Sequence, residues 1–341
     1  MTEEPEILIL HTGGTFGMEP SAEGFVPAGG LAGKIRRYLP EASGPGMPAW
    51  QVLEYPVLLD SSNMRPEDWY RIGRDIATAA HLYQGFIVIH GTDTMAYTAS
   101  ALSYLLKDLK QPVIVTGSQV PLGQPGNDAG PNLTGSLGQF QNCIPEGVFV
   151  FFDHTLFHGN RTTKIRATGI DAFTSPKTSP LTTDNKCLLS NEAAGIPSSD
   201  IHLPDSASAR IGVIRLFPGI DSRFVGAVLS TGLQGMVLEC YGVGNGPGLD
   251  RELMRTLRKA CREGVVIVGV SQCLEGSVDL QIYAAGSALA DAGVVNGYDM
   301  TLEAAFTKLH YLFSLGLTPE KVASRIPIPL CGEVNPKAGS Y

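Results

Sequence analysis

Apolar residues recur along this chain in two patterns: short unbroken runs and longer stretches with helical spacing. The short runs predict strands that are buried on both faces, because such strands need no alternation of polar and apolar residues. The helical spacing predicts helices over Pro66–Tyr83, from about Thr94 to Leu109, and around 132–141. Since strands and helices alternate, we expect an α/β fold with a parallel, doubly wound sheet. The predicted strands are Ile7–Leu10, Val57–Leu59, Phe86–Ile89, Val113–Val115 and Val148–Phe152.

A change in composition divides the chain into two predicted domains. Ser, Thr, Pro, Asn and Asp become frequent between residues 174 and 210, where long apolar runs are few. We therefore predict an N-terminal catalytic α/β domain at 1–190, a linker at 191–210 and a smaller C-terminal α/β domain at 211–341. The second domain should contain strands at Ile211–Leu216, Gly235–Leu238 and Val265–Val270, and a last helix that starts at Pro319.

Charge and composition narrow the functional classes. The net charge is −8 and no cluster of Lys and Arg stands out, so a nucleic-acid partner is not expected. No apolar stretch is long enough to span a bilayer, and the first residues lack the basic and apolar regions of a secretory signal. We therefore expect a cytoplasmic protein. None of the six cysteines belongs to a CxxC pair, so no metal site is predicted.

Four polar motifs carry the candidate chemistry, and three of them follow predicted strands. Ligands of parallel sheets bind beyond the carboxyl ends of the strands, so we expect the first and third motifs to share one site. Glycines in the first motif allow close backbone approach, and its last threonine offers a hydroxyl nucleophile. A lysine near a threonine hydroxyl can act as its base once the lysine is neutral. The motifs are TGGT at 12–15, DSSN at 60–63, HGTD at 90–93 and GNRTTK at 159–164.

Each motif also has a purely structural interpretation. The TGGT segment can be an ordinary turn, and the DSSN segment can simply start the next helix. Thr92 or Asp93 can cap the helix that follows, although Asp93 is also well placed to bind the ammonium group of a small amino acid. Lys164 can be a solvated surface charge. Taken one at a time, the motifs leave these alternatives open.

The order of the four motifs resembles the bacterial asparaginase family, and in particular its type I, cytoplasmic branch. Three further segments share this resemblance, which runs over nearly the whole chain: VIHGTDTMAYTASAL at 88–102, VIVTGSQVPL at 113–122 and YGVGNGP at 241–247. The resemblance implies hydrolysis of L-asparagine to L-aspartate and ammonia through an acyl-enzyme intermediate. It implies no metal or organic cofactor, and a homotetramer or dimer in which a neighbouring subunit closes each site.

The resemblance also assigns catalytic roles. Thr15 matches the nucleophile, held on a mobile loop, and Thr92 matches a second essential threonine. Lys164 matches the proton partner of Thr92, and Asp93 the group that grips the substrate α-amino group.

Other positions match substrate-binding and supporting groups of the family. Asp60, Ser61 and Ser62 match the stretch that holds the α-carboxylate and amine of the substrate. Asp128 matches an acidic position that we expect to support the site without reacting.

Several positions depart from the family pattern. Phe25 stands where many relatives have a tyrosine that orients the nucleophile, and it lacks the hydroxyl for that task. Tyr283 matches a tyrosine that mammalian-type relatives use instead, so we hypothesise that it reaches Thr15 across an interface. Asn63 replaces a usual aspartate. Glu239 stands where some relatives bind a regulatory asparagine through arginine, which argues against such regulation here.

Three rival functions follow from the same residues. A glutaminase-leaning enzyme is a near alternative, since one methylene changes binding by only about 1–3 kcal/mol. The amidotransferase subunit that feeds ammonia to misacylated tRNA shares the fold but carries an extra N-terminal domain, whereas TGGT here begins at residue 12. A non-catalytic amino-acid-binding protein would explain Phe25 as a sign of lost activity.

Overall fold

The computed structural model describes residues 6–22, 24–142, 144–181, 203–204 and 209–336. Its internal contacts divide the chain into two compact units, Met1–Leu203 and Pro204–Tyr341. The predicted linker at 191–210 lies almost wholly outside the described residues. Each unit has its own sheet, and the predicted α/β class, with a larger N-terminal and a smaller C-terminal part, is confirmed.

The first unit is built on a six-stranded sheet with the order β4-β1-β5-β6-β7-β8. Neighbouring strands are parallel except for the last pair, β7 and β8. Two small antiparallel pairs, β2–β3 and β9–β10, lie outside it. The strands, numbered along the chain, are β1 (Ile7–Gly13), β2 (Glu19–Ser21), β3 (Gly24–Val26), β4 (Trp50–Leu59), β5 (Gly85–Ile89), β6 (Pro112–Thr116), β7 (Gly147–Phe152), β8 (Thr155–His158), β9 (Thr163–Lys164) and β10 (Phe173–Thr174).

The helices of this unit end earlier than their apolar spacing predicts. The amides of Ala80 and Leu82 bond to carbonyls three residues back, so the second helix closes in tight turns before Tyr83. The third helix ends in the same way, with Leu109 bonded to Leu106. Both segments keep apolar residues at helical spacing beyond these points, which is why spacing alone overestimates their length. The helices are α1 (Leu31–Tyr38), α2 (Pro66–Ala79), α3 (Met95–Leu105) and α4 (Ala129–Gln139).

Strand β1 is longer than predicted, and this places the first motif differently. The loop expected from His11 onward is strand as far as Gly13, because β1 pairs with β4 on one side and β5 on the other. The Thr12 hydroxyl donates to the Ile89 carbonyl at 2.9 Å, and the His11 Nδ1 lies 3.1 Å from the Glu54 carboxylate, whereas the buried His11 Nε2 has no partner among the described residues. Satisfied polar groups can occupy a buried strand, which an apolar run does not reveal.

Strand β4 spans ten residues, although only its end, 57–59, reads as a strand in the sequence. It lies at the edge of the sheet, and its side chains are mostly exposed or partly exposed. An edge strand tolerates Pro56, whose missing N–H would interrupt a central ladder. Its parallel pairing with β1 brings Leu59, and with it the DSSN segment, to the end of β1.

The second unit has a fully parallel sheet with the order β11-β12-β13-β14. Its three longer strands match the predicted positions within one or two residues, and the two-residue β14 was not predicted. Glu239, on β12, pairs with Arg215 at 3.4 Å. The elements are β11 (Ile211–Arg215), α5 (Ser222–Leu229), β12 (Gly235–Cys240), α6 (Arg251–Arg262), β13 (Val266–Ser271), α7 (Ala284–Asp291), β14 (Val295–Asn296), α8 (Leu302–Ser314) and α9 (Pro319–Arg325).

None of the helices in the described parts of either unit is long and apolar enough to cross a membrane.

Candidate active site

Three of the four motifs meet at the carboxyl ends of β4, β1 and β5. Gly14 donates its N–H to the Leu59 carbonyl at 3.0 Å, which joins the first motif to the end of β4. A Cβ atom on Gly14 would lie 2.3 Å from the Gly91 nitrogen, and a Cβ atom on Gly91 would lie 2.4 Å from the Ser61 Oγ. Such distances leave no room for a side chain on either glycine, so TGGT and HGTD touch through bare backbone, and the backbone of HGTD packs against the Ser61 side chain of DSSN.

Thr15 begins a short 3₁₀ turn, Thr15–Gly17, directly after this contact. The turn is anchored by Phe16, whose side chain is fully buried and whose carbonyl accepts from the Leu122 amide at 3.0 Å. Thr15 itself is partly exposed. Its hydroxyl makes no hydrogen bond with any residue that the structure describes, so it is free to react with a ligand.

Thr92, Asp93 and Lys164 form one hydrogen-bonded group. The Lys164 ammonium donates to the Thr92 Oγ1 and to the Asp93 Oδ1, both at 2.8 Å. The Thr92 hydroxyl is buried, whereas the Asp93 carboxylate faces solvent. Helix α3 has Thr94 as its N-cap residue and makes no side-chain cap, so the capping interpretation of Thr92 and Asp93 does not apply. Lys164 is not a solvated surface charge either, since its side chain is 19% exposed.

The buried His90 side chain holds the backbone of its own HGTD segment in place. Its Nδ1 lies 2.7 Å from the Gly91 carbonyl, so Nδ1 carries the proton, and Nε2 accepts from the Thr98 hydroxyl at 2.9 Å. Burial lowers the pKa of His90 from 6.5 to about 4, and the bond to Gly91 opposes this only in part. The imidazole is therefore neutral at physiological pH and serves as a rigid support.

The DSSN segment combines a structural and an exposed polar role. The Asp60 carboxylate accepts from the Ser62 amide at 3.0 Å and caps a 3₁₀ turn, Ser61–Asn63. Asp60 thus caps a separate turn and does not start the next helix, which begins at Pro66, and this bond uses only one of its oxygens. Ser61 is buried, and its carbonyl accepts from the Thr94 hydroxyl at 2.8 Å. Asp60, Ser62 and Asn63 are exposed and available to a ligand.

Gln119 belongs to this cluster, although the sequence did not single it out. It follows β6 in the segment Thr116-Gly-Ser-Gln119, and its Oε1 accepts from the Thr92 hydroxyl at 3.0 Å. Both carboxylate oxygens of Asp128 accept from the backbone N–H of Gln119, at 2.9 and 3.1 Å. The rule that sites lie beyond the carboxyl ends of strands would have found Gln119 had it been applied to β6 as well.

The described residues contain no group of three His, Cys, Asp or Glu side chains suited to a metal ion. The chemistry available at this place is that of a free threonine hydroxyl, a threonine–lysine pair and exposed carboxylates.

Comparison with known families identifies this arrangement. Residues 6–193 match the family described as "Asparaginase, N-terminal", and residues 210–325 match "Glutaminase/Asparaginase C-terminal domain". The chain belongs to the asparaginase family. Both matches begin next to the first strand of a unit, so each unit corresponds to one family domain.

Individual asparaginase relatives cover almost the whole chain. L-asparaginase 1 of Escherichia coli K12 is 41% identical over 336 residues, which cover 98% of this chain and 99% of that protein. The crystal structure of L-asparaginase I from Vibrio cholerae superposes with a TM-score of 0.85 at 40% identity, covering 97% of this chain and 99% of that one. A mouse protein named 60 kDa lysophospholipase is 40% identical over 340 residues, which cover 92% of this chain and 59% of its own.

Phe25, which departs from the asparaginase pattern, and Tyr283, the predicted substitute for the missing tyrosine, lie in different units. Phe25 is on β3 of the first unit, in the hairpin after the Thr15 turn, and is 50% exposed. Tyr283 is the N-cap residue of α7 in the second unit and is 57% exposed. Both side chains therefore present ring surface to solvent within their own units.

Gly14 offers a direct test of the backbone contact. Gly14→Ala should lower the free energy of unfolding more than Gly30→Ala, because only Gly14 meets a neighbour and because its backbone (φ 80°, ψ 177°) lies in a region that essentially only glycine adopts. Gly30 (φ 78°, ψ 29°) is in the left-handed helical region, where alanine costs about 1–2 kcal/mol. Urea denaturation followed by fluorescence measures this, since both tryptophans, Trp50 and Trp69, lie in the first unit. Equal losses of unfolding free energy in the two variants would mean that the Gly14–Gly91 contact does not contribute to stability.

His90 should make stability depend on pH. Its pKa is about 4 in the folded chain and near 6.5 when unfolded, so the unfolded state takes up a proton first as the pH falls. The stabilisation is complete above pH 6.5 and is lost as the pH falls towards 4, by about 3 kcal/mol. Urea denaturation at pH steps should give a smaller loss for His90→Gln, whose amide can also donate to Gly91 and accept from Thr98. The exposed His81→Gln is the control and should keep the wild-type slope.

Proposed function

We propose that this chain is an L-asparaginase that hydrolyses L-asparagine to L-aspartate and ammonia, with Thr15 as nucleophile. The observation that supports it most is the bonded group Thr92–Lys164–Asp93 beside the Gly14–Gly91 contact. A threonine hydroxyl is a weak nucleophile and needs a base, and this group places a lysine on a neighbouring hydroxyl. The names of the E. coli and V. cholerae relatives point to the same substrate.

The proposed reaction has two steps. The Thr15 oxygen attacks the side-chain amide carbon of asparagine, its proton passes to the leaving nitrogen, and ammonia departs from an aspartyl ester on Thr15. Water, activated by the Thr92–Lys164 pair, then attacks the ester, and aspartate leaves as the Thr15 hydroxyl reforms. Such base assistance is typically worth about 10²–10⁴-fold in rate. The steps use only side chains of the protein and water.

Asp93 links substrate binding to the state of Lys164 in this proposal. The Asp93 carboxylate, paired with Lys164 here, is the expected partner of the substrate α-ammonium group. Two ammonium groups on one carboxylate repel each other, and loss of a proton from Lys164 relieves this repulsion. Substrate binding would thus produce the neutral amine that the second step requires. Asp60, Ser61 and Ser62 would hold the α-carboxylate and amine from the opposite side.

The oxyanion that forms on the amide oxygen needs a hydrogen-bond donor from the glycine-rich segments, since one such donor is worth roughly 10²–10³-fold. The N–H of Gly14 is already bonded to Leu59, so the donor must be another backbone N–H in these segments.

Location and assembly are part of the same proposal. We propose a cytoplasmic protein, on the resemblance to the type I branch, and a homo-oligomer, dimer or tetramer, in which a neighbouring copy supplies Tyr283. Phe25 carries no hydroxyl at the place where many relatives have a tyrosine, which supports a tyrosine from elsewhere.

Ammonia release from L-asparagine and L-glutamine tests the reaction. Thr15→Ala should lower the rate on asparagine by at least about 10³-fold, because the attacking oxygen is lost. Thr231→Ala, at an exposed threonine of the second unit, should keep the wild-type rate. A higher rate on glutamine than on asparagine would favour the glutaminase alternative. No release from either amide by the folded protein, together with calorimetric binding of L-aspartate, would favour the amino-acid-binding protein.

Tyr283→Phe should reduce turnover by about 10–100-fold, because the hydroxyl that orients Thr15 is removed. Tyr38→Phe, which also changes a half-exposed tyrosine, is the control. Unchanged turnover in Tyr283→Phe would rule out its role. Co-expression of Thr15→Ala with Tyr283→Phe tests the interface: in mixed dimers one of the two sites is intact, so activity should recover to about a quarter of wild type. No recovery would mean that both residues act within one chain.

A further inference from the structure

Gln119 makes three side-chain hydrogen bonds that connect the two halves of the Thr92–Lys164 pair. Its Oε1 accepts from the Thr92 hydroxyl at 3.0 Å. Its Nε2 lies 3.2 Å from the Gly169 carbonyl and 3.5 Å from the Ala167 carbonyl. Two of these partners can only accept, so the orientation of the amide follows: nitrogen towards the carbonyls and oxygen towards Thr92.

This orientation of the Gln119 side-chain amide, with Lys164 protonated, fixes the direction of each hydrogen bond from Lys164 through Thr92 to Gln119. The Lys164 ammonium has three donors and no acceptor, so the Thr92 oxygen must accept from it. The single proton of the Thr92 hydroxyl then goes to the Gln119 oxygen. The direction is therefore Lys164 to Thr92 to Gln119 to Gly169. One lone pair of the Thr92 oxygen remains, and it is the only part of that hydroxyl open to a water or a substrate.

The carbonyls that receive the Gln119 amide belong to the hairpin that carries Lys164. Strands β9 and β10 pair Lys164 with Phe173, and the Ile165 amide donates to the Ala172 carbonyl at 2.8 Å. Residues 166–171 form the loop of this hairpin, and Ala167 and Gly169 are exposed within it. The side-chain amide of Gln119 thus holds the Thr92 hydroxyl directly, and it holds Lys164 through the β9–β10 hairpin.

The backbone of Gln119 is itself held by a carboxylate. Both oxygens of Asp128 accept from the Gln119 N–H, and one also accepts from the Val120 N–H at 2.9 Å. Asn132 donates to Asp128 at 3.3 Å and to the Gly117 carbonyl at 2.9 Å. These bonds leave the segment after β6 little freedom, so the Gln119 side chain starts from a fixed point.

We infer that Gln119 is a positioning residue for the Thr92–Lys164 pair: it orients the Thr92 proton away from the substrate and holds the Lys164 hairpin in place. The inference rests on the proposed function. It assigns Gln119 no contact with the substrate; the amide holds the Thr92 hydroxyl beside Lys164 before the reaction. In the second step the Thr92 proton passes to the neutral Lys164 amine as water gives its proton to the Thr92 oxygen.

Two substitutions separate this role from a general effect on folding. Gln119→Leu removes every hydrogen bond of the side chain at similar size. It should lower kcat for L-asparagine by about 10–100-fold, which is less than the loss of a general base costs, because Thr92 and Lys164 remain. KM should stay within about three-fold of the wild-type value. Gln119→Glu places a carboxylate against the carbonyls of Ala167 and Gly169 at neutral pH, which should lower kcat as much as Gln119→Leu does. Once protonated, the acid again offers one acceptor and one donor, as the amide does.

The pH profile of Gln119→Glu is therefore the decisive readout. Its kcat relative to wild type should rise as the pH is lowered from 8 to 4.5, and that of Gln119→Leu should stay flat. The ionisable groups near this side chain are Lys164, Asp93, Asp128 and the Arg166–Asp171 ion pair, and taking the ratio to wild type cancels their shared titration. Gln141→Glu, at an exposed glutamine of the same unit, adds the same charge and should give a flat ratio near one.

Other outcomes would overturn the inference. Wild-type kcat in Gln119→Leu would exclude any positioning role. If Gln119→Leu does not fold, the ratio for Gln119→Glu decides, and a flat low ratio would mean that the residue is merely structural. A wild-type protein inactive on asparagine would refute the proposed function instead. Amide hydrogen exchange of residues 164–173 would then still test the anchoring of the hairpin: it should be at least ten-fold faster in Gln119→Leu than in wild type, and an equal rate would refute it.

Discussion

The direct contact of two glycine backbones, Gly14 against Gly91, is the constraint on which the candidate site depends. A single Cβ atom on either residue would occupy space already filled by backbone or by Ser61. Because no side chain lies between them, the Thr15–Gly17 turn and the HGTD segment approach as closely as main chains can. Three strands of the sheet, β4, β1 and β5, end together at this point, and their parallel register sets the relative heights of the segments.

Around this contact the site is organised by polar groups that bond to backbone. Thr12, Thr94 and Asp128 each use a side-chain atom to hold a main-chain group of a neighbouring segment, and His90 holds the carbonyl of the next residue in its own segment. Buried polar groups left without partners would be costly, so these bonds restrict the segments to one arrangement. The Thr15 hydroxyl, in contrast, is partly exposed and makes no hydrogen bond with any residue that the structure describes. The surrounding segments are thus held by hydrogen bonds, whereas the Thr15 side chain is not.

The sequence predicted the central strands well because β5, β6 and β7 are buried on both faces and therefore consist of unbroken apolar runs. It predicted the convergence of TGGT and HGTD because both follow adjacent parallel strands. It underestimated β1, whose last residues are polar, and β4, where Pro56 and solvent exposure hide an edge strand. Gln119 was not predicted, because a single glutamine forms no sequence pattern and only the fold brings its side-chain oxygen to the Thr92 hydroxyl. The roles of Thr15 and Tyr283 came from resemblance, since a lone threonine or tyrosine carries no physical signature in a sequence.

The ion pair between Asp93 and Lys164 has a consequence for which ions the site attracts. A bare exposed carboxylate beside a buried hydroxyl would draw sodium, potassium or magnesium from the surrounding solution. The lysine is an internal counter-ion, so the pair has no net charge and its field falls off within a short distance. An inorganic cation gains little by entering, because it would have to displace an ammonium that already makes two hydrogen bonds. A ligand whose own ammonium group donates to the exposed side of the Asp93 carboxylate need not displace the lysine, so hydrogen-bond geometry, rather than charge, selects among cations here.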